Sequence, residues 1–137
     1  MIDLTINNFL EQKPACSTIC FKKNCKEEIL SKSRGKVVVD NFNNILYCSR
    51  NIIPSNKTEN IIHNHLYNIH VGIFVYNKEY LLEHFTRLNT TNQLLEDIEW
   101  LKIIEQGFKV NTIFSEEMER GVDTMEDYEY LKNKYER

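Results

Sequence analysis

Ten residues, YNIHVGIFVY at positions 67–76, constrain the fold more than any other stretch. The run is dense in β-branched and aromatic residues, which suit a pleated, packed surface, so it reads as a buried strand. Gly72 in its middle predicts a bulge or a close backbone approach. A buried strand needs covering elements, and the preceding sequence offers one. Residues 3–12 place Leu4, Ile6, Phe9 and Leu10 mostly on one helical stripe, with Asp3 as a candidate N-cap and Pro14 just past the end. ACSTICF, at 15–21, then reads as a short buried strand. Residues 22–35 are rich in Lys, Glu and Ser and predict a polar connection with a short helix at 26–30.

KVVVDNFNNILYCSR supplies two β-prone runs, 36–40 and 45–49, around an Asn-rich turn. Asparagine tolerates left-handed backbone angles and bonds its own backbone, so a hairpin is predicted. Pro54 makes the following segment a loop. After the 67–76 strand, two helices are predicted, at 78–87 and 91–106. Leu94, Leu95, Ile98, Leu101 and Ile104 or Glu105 mark the apolar face of the second, and Gly107 is its stop. KVNTIF reads as a strand, and a last helix follows GVDT, with Thr124 as cap and Asp127 at the third position of a capping-box-like pattern. Strands alternating with helices give an α/β domain whose mixed sheet carries an antiparallel hairpin.

At 137 residues the chain suits one domain, 1–137, with one core. A net charge of −3 gives no general reason for binding nucleic acid or an anionic membrane. No apolar run approaches the roughly 20 residues of a bilayer span, and the N-terminus has no basic-then-apolar leader, so a soluble, unprocessed chain is expected. Cys16, Cys20, Cys25 and Cys48 have neither CxxC spacing nor the density of a disulfide scaffold. They read as free thiols in a reducing, cytoplasmic setting.

Four segments, GKVVVDNFNNILYCSRNIIP, HVGIFVYNKEYLLEHF, EDIEWLKIIEQGFKV and GVDTMEDYEYLK, resemble in order and spacing the C-terminal half of the 3-deoxy-manno-octulosonate cytidylyltransferase (CMP-Kdo synthetase) family. The resemblance covers essentially the whole chain. It implies the C-terminal part of a Rossmann-like nucleotide-diphospho-sugar transferase fold, used for sugar-acid binding and dimerisation. The family's Gly- and Arg-rich nucleotide loop and its QGDEP-like stretch have no counterpart here. Gly35, Gly72, Gly107 and Gly121 are too scattered to build a phosphate cradle.

The resemblance also nominates site residues. Arg50, in the Ser49-Arg50 pair, suits bidentate binding of a carboxylate or phosphate; a plain surface arginine is the alternative. His70 matches a sugar-acid contact, against the plainer reading of a strand histidine bonded to a carbonyl. Glu96 and Glu99, with Lys102, match the family's charged helix positions, or else form a solvated face with a Glu99–Lys102 pair. Trp100 stands where the family has glutamine, and it offers one donor and no acceptor. Asp123 matches a magnesium ligand of the family; spacing alone favours instead an ordinary carboxylate at a helix N-terminus. A zinc site from His63, His65 and His70 is disfavoured, because on a strand His70 faces away from the other two.

The resemblance therefore implies a CMP-Kdo synthetase-like chain contributing sugar-acid binding. Magnesium would bind only if a nucleotide-binding half completes the chain; the implied partners are a second copy, as a homodimer, or a complementary N-terminal-half chain, with the sugar acid and CTP as possible ligands. The alternative is a non-catalytic dimerisation or sugar-binding remnant.

Overall fold

A computed structural model describes residues 1–58, 61–87, 89–116, 122 and 125–136. Helix α1 (Ile2–Gln12) leads into strand β1 (Cys16–Lys23), followed by α2 (Lys26–Leu30), β2 (Lys36–Val39), β3 (Ile45–Ser49) and β4 (Tyr67–Tyr76). Next come α3 (Lys78–Tyr80), continued by a π-helical turn (Leu81–Phe85), then α4 (Thr91–Glu96), α5 (Leu101–Glu105), β5 (Val110–Ser115) and α6 (Met125–Tyr135). The five strands form one sheet in the order β3-β2-β4-β1-β5. Only β1–β5 is parallel, so the sheet is mixed, as the α/β reading requires. Among the described residues no helix is long and apolar enough to cross a membrane.

The predicted long strand is the spine of the sheet. All ten residues of β4 run antiparallel to β1, with Ile19 opposite Val71 and Thr18 opposite Phe74. Gly72 and Ile73 are therefore the extra residues of a bulge, and Gly72 marks it rather than a tight contact, since a Cβ there would meet nothing within 4 Å. β2 pairs with β4 only at Asn68 and Ile69. Along 71–76 the edge of β4 away from β1 thus has no strand partner among the described residues.

The hairpin forms as predicted and closes the fold. Asp40 Oδ1 accepts from the Phe42 and Asn44 amides, each at 2.8 Å, and Asn43 takes φ 61°. The tip then crosses to the far edge of the sheet, where the Thr112 amide donates to the Asn43 carbonyl at 2.9 Å. Asn111 Nδ2 donates to the Phe42 carbonyl and to Asn44 Oδ1, while its Oδ1 accepts from Asn8 of α1 at 2.9 Å. One buried amide thereby ties α1, the hairpin and β5. The main core packs Cys16, Cys20, Val37 and Cys48 against Trp100, Leu101 and Ile103; a second cluster, with Phe21, Ile29, Tyr67 and Ile69, lies apart from it. Cys16, Cys20, Cys25 and Cys48 are free thiols.

Four expectations need correction. The predicted 91–106 helix is two helices, because Asp97 turns left-handed at φ 54° and ends α4. Leu94 and Leu95, assigned to its apolar face, are 64% and 78% exposed. In α1 the stripe of Leu4, Ile6 and Leu10 faces outward while Thr5 is buried, because the sheet surface beneath carries Ser17 and Asn111 and takes Asn8 as their partner. Asp3 lies in the first turn rather than at the cap, which is Met1. Gly107, at φ 83°, does stop α5. Thr124 and the side chain of Asp127 lie outside the described residues.

Removing the Asn111 amide strands acceptors on the hairpin and α1 partners inside the fold. Asn111→Ala is expected to lower unfolding free energy by about 1–3 kcal/mol, measured by urea denaturation.

Candidate functional site

The site is built where β3 ends. Ser49 Oγ and the Arg50 amide donate to Glu96 Oε2 at 2.9 and 3.2 Å, and the Tyr47 hydroxyl reaches Oε1 at 3.4 Å. In return the Arg50 guanidinium donates from Nε to the Glu96 carbonyl (3.1 Å), from one terminal nitrogen to the Asp97 carbonyl (2.7 Å) and from the other to the Lys32 carbonyl (3.0 Å). A continuous helix would need the carbonyls of 96 and 97 for the amides of 100 and 101. Arg50 takes them instead, and the Leu101 amide turns to Ile98. The helical periodicity across this point is overridden by one arginine.

The resulting 97–100 loop walls a pocket of about 170 Å³. Arg50, His70, Glu99 and Trp100 line it, with Ser33 and Gly35 opposite. Three of the four predicted substrate residues thus meet at one cavity. The fourth, Glu96, stands behind it and holds Arg50 in place. Arg50 commits three of its five donors to backbone carbonyls, and its ion pair with Asp97 spans 3.6 Å. Glu99 is exposed and pairs with Lys102 at 3.8 Å, the anticipated contact, while Lys102 is buried over the Phe85 ring.

His70 is packed between aromatic rings, with centroids 5.0 Å from both Phe74 and Trp100. Burial pushes its pKa down to about 4, so it is neutral at pH 7. Burial likewise raises the Cys48 thiol, which stays protonated and is not a nucleophile. Trp100 is 6% exposed, and its ring packs against those of His70 and Phe74.

Two contributors were not among the predicted site residues. Lys36 is fully buried, and its ammonium donates to the carbonyls of Ser31, Arg34 and Arg50 at 2.6–2.7 Å. It fixes the loop that presents Ser33 and Gly35; desolvation lowers its pKa. A lysine opening the strand KVVV carries no signal of this. Gly35 does, as a lone glycine before a strand: a Cβ there would sit 2.8 Å from Cys48 Sγ.

Asp123, nominated above as a magnesium ligand by the resemblance, lies outside the described residues. Among those described, no group of three His, Cys, Asp or Glu side chains could hold a metal ion. These residues by themselves do not fit magnesium, and no step is assigned to it.

Arg50→Ala should destabilise the ligand-free chain by about 2 kcal/mol in chemical denaturation, because its charge-assisted bonds hold the loop whether or not a ligand is bound. For His70, the folded pKa of about 4 lies below the ordinary 6.5, so as pH falls the unfolded state takes up the proton first. Its stability contribution is complete above pH 6.5 and is lost towards pH 4, with a ceiling of about 3 kcal/mol. Asp40 and Glu105 are held below their ordinary carboxyl values. The Asn44 side chain holds the Asp40 carboxyl down, and donors from Thr90, Asn92 and Gln93 outweigh the desolvation of Glu105. The difference between wild type and His70→Gln, followed by thermal unfolding between pH 6.5 and 4.5, should therefore shrink as pH falls.

The family described as Cytidylyltransferase matches residues 1–128. The 3-deoxy-manno-octulosonate cytidylyltransferase of Protochlamydia amoebophila is 37% identical over 102 residues, covering 74% of this chain and 39% of that protein. The protein of the same name from Fusobacterium nucleatum is 33% identical over 135 residues, covering 97% of this chain and 54% of its own length. A solved structure, CMP:2-keto-3-deoxy-manno-octonic acid synthetase complexed with CTP, superposes with a TM-score of 0.85 at 23% identity, over 96% of this chain and 54% of that one. The fold is therefore that of the nucleotide-diphospho-sugar transferases. The chain spans about half the length of these relatives, or less.

Proposed function

The chain belongs to the cytidylyltransferase family, and from that premise we propose that its pocket is the sugar-acid site of a CMP-Kdo synthetase. The observation that carries this reading is the convergence of Arg50, His70 and Glu99 on one cavity, with Glu96 behind Arg50. These are the residues that the resemblance nominates, and they come from segments of the chain far apart in sequence. The reaction is attack of the Kdo anomeric hydroxyl on the α-phosphorus of CTP. The new O–P bond forms as the bond to diphosphate breaks, giving CMP-Kdo and diphosphate.

This chain's part is positioning. A neutral His70 and the polar rim of Ser33, Arg50 and Glu99 can pair sugar hydroxyls, and the Trp100 face covers an apolar side. The residues that hold CTP and, with Asp123, magnesium lie beyond these 137 residues in this proposal, so the chain alone is inactive. The unpaired edge of β4 along 71–76 supports a completing strand from a complementary half, and the outward apolar stripe of α1 supports association with it or with a second copy. Buried free thiols are consistent with a cytoplasmic setting.

One observation favours a second reading. Trp100, where the family has glutamine, fills space against His70 and brings no hydrogen-bond acceptor. That suits a non-catalytic sugar-binding or dimerising remnant.

Calorimetric titration of the folded chain separates the outcomes. Kdo is expected to bind in the millimolar range or better, with binding lost in His70→Ala. Titrations unchanged by His70→Ala and Arg50→Ala would overturn the reading.

A further inference from the structure

His70 is oriented from the neighbouring strand. Thr18, fully buried in β1, places its hydroxyl oxygen 2.9 Å from His70 Nε2 and 2.7 Å from the Ile73 carbonyl. A hydroxyl has one proton, and a carbonyl can only accept. The Thr18 proton therefore goes to Ile73, and the contact with His70 is satisfied only if Nε2 carries a proton and donates it. The β-bulge makes this possible: Ile73 is one of its two extra residues, out of the ladder with β1, and its carbonyl is available to Thr18.

From this arrangement we infer that Thr18 is a positioning residue that locks His70 in the Nε2–H tautomer and so turns Nδ1 into a bare acceptor facing the ligand pocket. Burial keeps the ring neutral. Nδ1 has no protein partner among the described residues, and no buried side-chain nitrogen or oxygen among them is unsatisfied, so Nδ1 is open to the cavity that His70 lines. A lone pair at that point accepts from a hydroxyl or an ammonium and repels a carboxylate or a carbonyl. Resting on the sugar-acid reading, the consequence is that His70 receives a sugar hydroxyl, and the acid group lies elsewhere in the pocket.

The test is the ¹⁵N and ¹H NMR of the His70 imidazole in the full chain at pH 7. The wild type is expected to show a pyridine-type Nδ1, a pyrrole-type Nε2 and an exchange-protected Nε2 proton. Thr18→Ser should keep all three, whereas Thr18→Val should lose the protected proton. A pyrrole-type Nδ1, a tautomer mixture in the wild type, or a Thr18→Val spectrum matching wild type would overturn the assignment. The wild-type spectrum decides the tautomer even where Thr18→Val does not fold. Added Kdo should move the Nδ1 resonance, and Thr18→Val should weaken Kdo binding about fivefold to tenfold, the loss of one hydrogen bond. Calorimetrically detected Kdo binding that leaves Nδ1 unmoved would overturn the acceptor role. Absence of Kdo binding with the Nε2–H tautomer in place would instead overturn the sugar-acid reading and support the tautomer assignment.

Discussion

The reciprocal clasp between Arg50 and Glu96 is the interaction on which the rest of the site depends. The Glu96 carboxylate receives Ser49 and the Arg50 amide, and the Arg50 guanidinium closes on the carbonyls of 96, 97 and Lys32. Hydrogen bonds with a charged partner are each worth about 1.5–3 kcal/mol, more than the roughly 0.5–1.5 kcal/mol of each helix backbone bond given up. The helix therefore yields at Asp97. Arg50 also links outward, since its carbonyl accepts the buried Lys36 ammonium at 2.6 Å. Two loops, 31–35 and 97–100, are thus held from one residue, and the cavity lies between them.

Much of this fold is legible in the sequence, for physical reasons. The 67–76 strand, the Asn-rich hairpin, the bulge at Gly72 and the stop at Gly107 arise from local chemistry: β-branched packing, left-handed tolerance and the missing Cβ. What local chemistry does not show is competition from distant partners. Leu94 and Leu95 have helical spacing, but the helix ends at Asp97, whose carbonyl binds an arginine more than forty positions away in sequence. Leu4, Ile6 and Leu10 form an apolar stripe, yet α1 turns Asn8 inward because Ser17 and Asn111 wait beneath it.

The candidate site divides in the same way. The family resemblance, not residue type or spacing, pointed to Arg50, His70, Glu96 and Glu99; Arg50, His70 and Glu99 line one cavity and Glu96 lies behind Arg50. Their roles needed geometry: the Arg50 guanidinium bonds the carbonyls of Lys32, Glu96 and Asp97, and the Glu96 carboxylate bonds Tyr47, Ser49 and the Arg50 amide, while His70 and Glu99 line the cavity. Lys36 and Thr18 left no trace in composition or spacing, because each acts through carbonyl groups that only the folded chain presents.

If the clasp and His70 build a sugar-acid site on this chain, amide chemical-shift mapping during Kdo titration tests it most directly. Perturbations are predicted to cluster at residues 33–35, 48–50, 70 and 97–100. Perturbations confined to another surface, such as the groove between Met1 and Phe114, or none at saturating Kdo, would contradict a sugar-acid site between these loops.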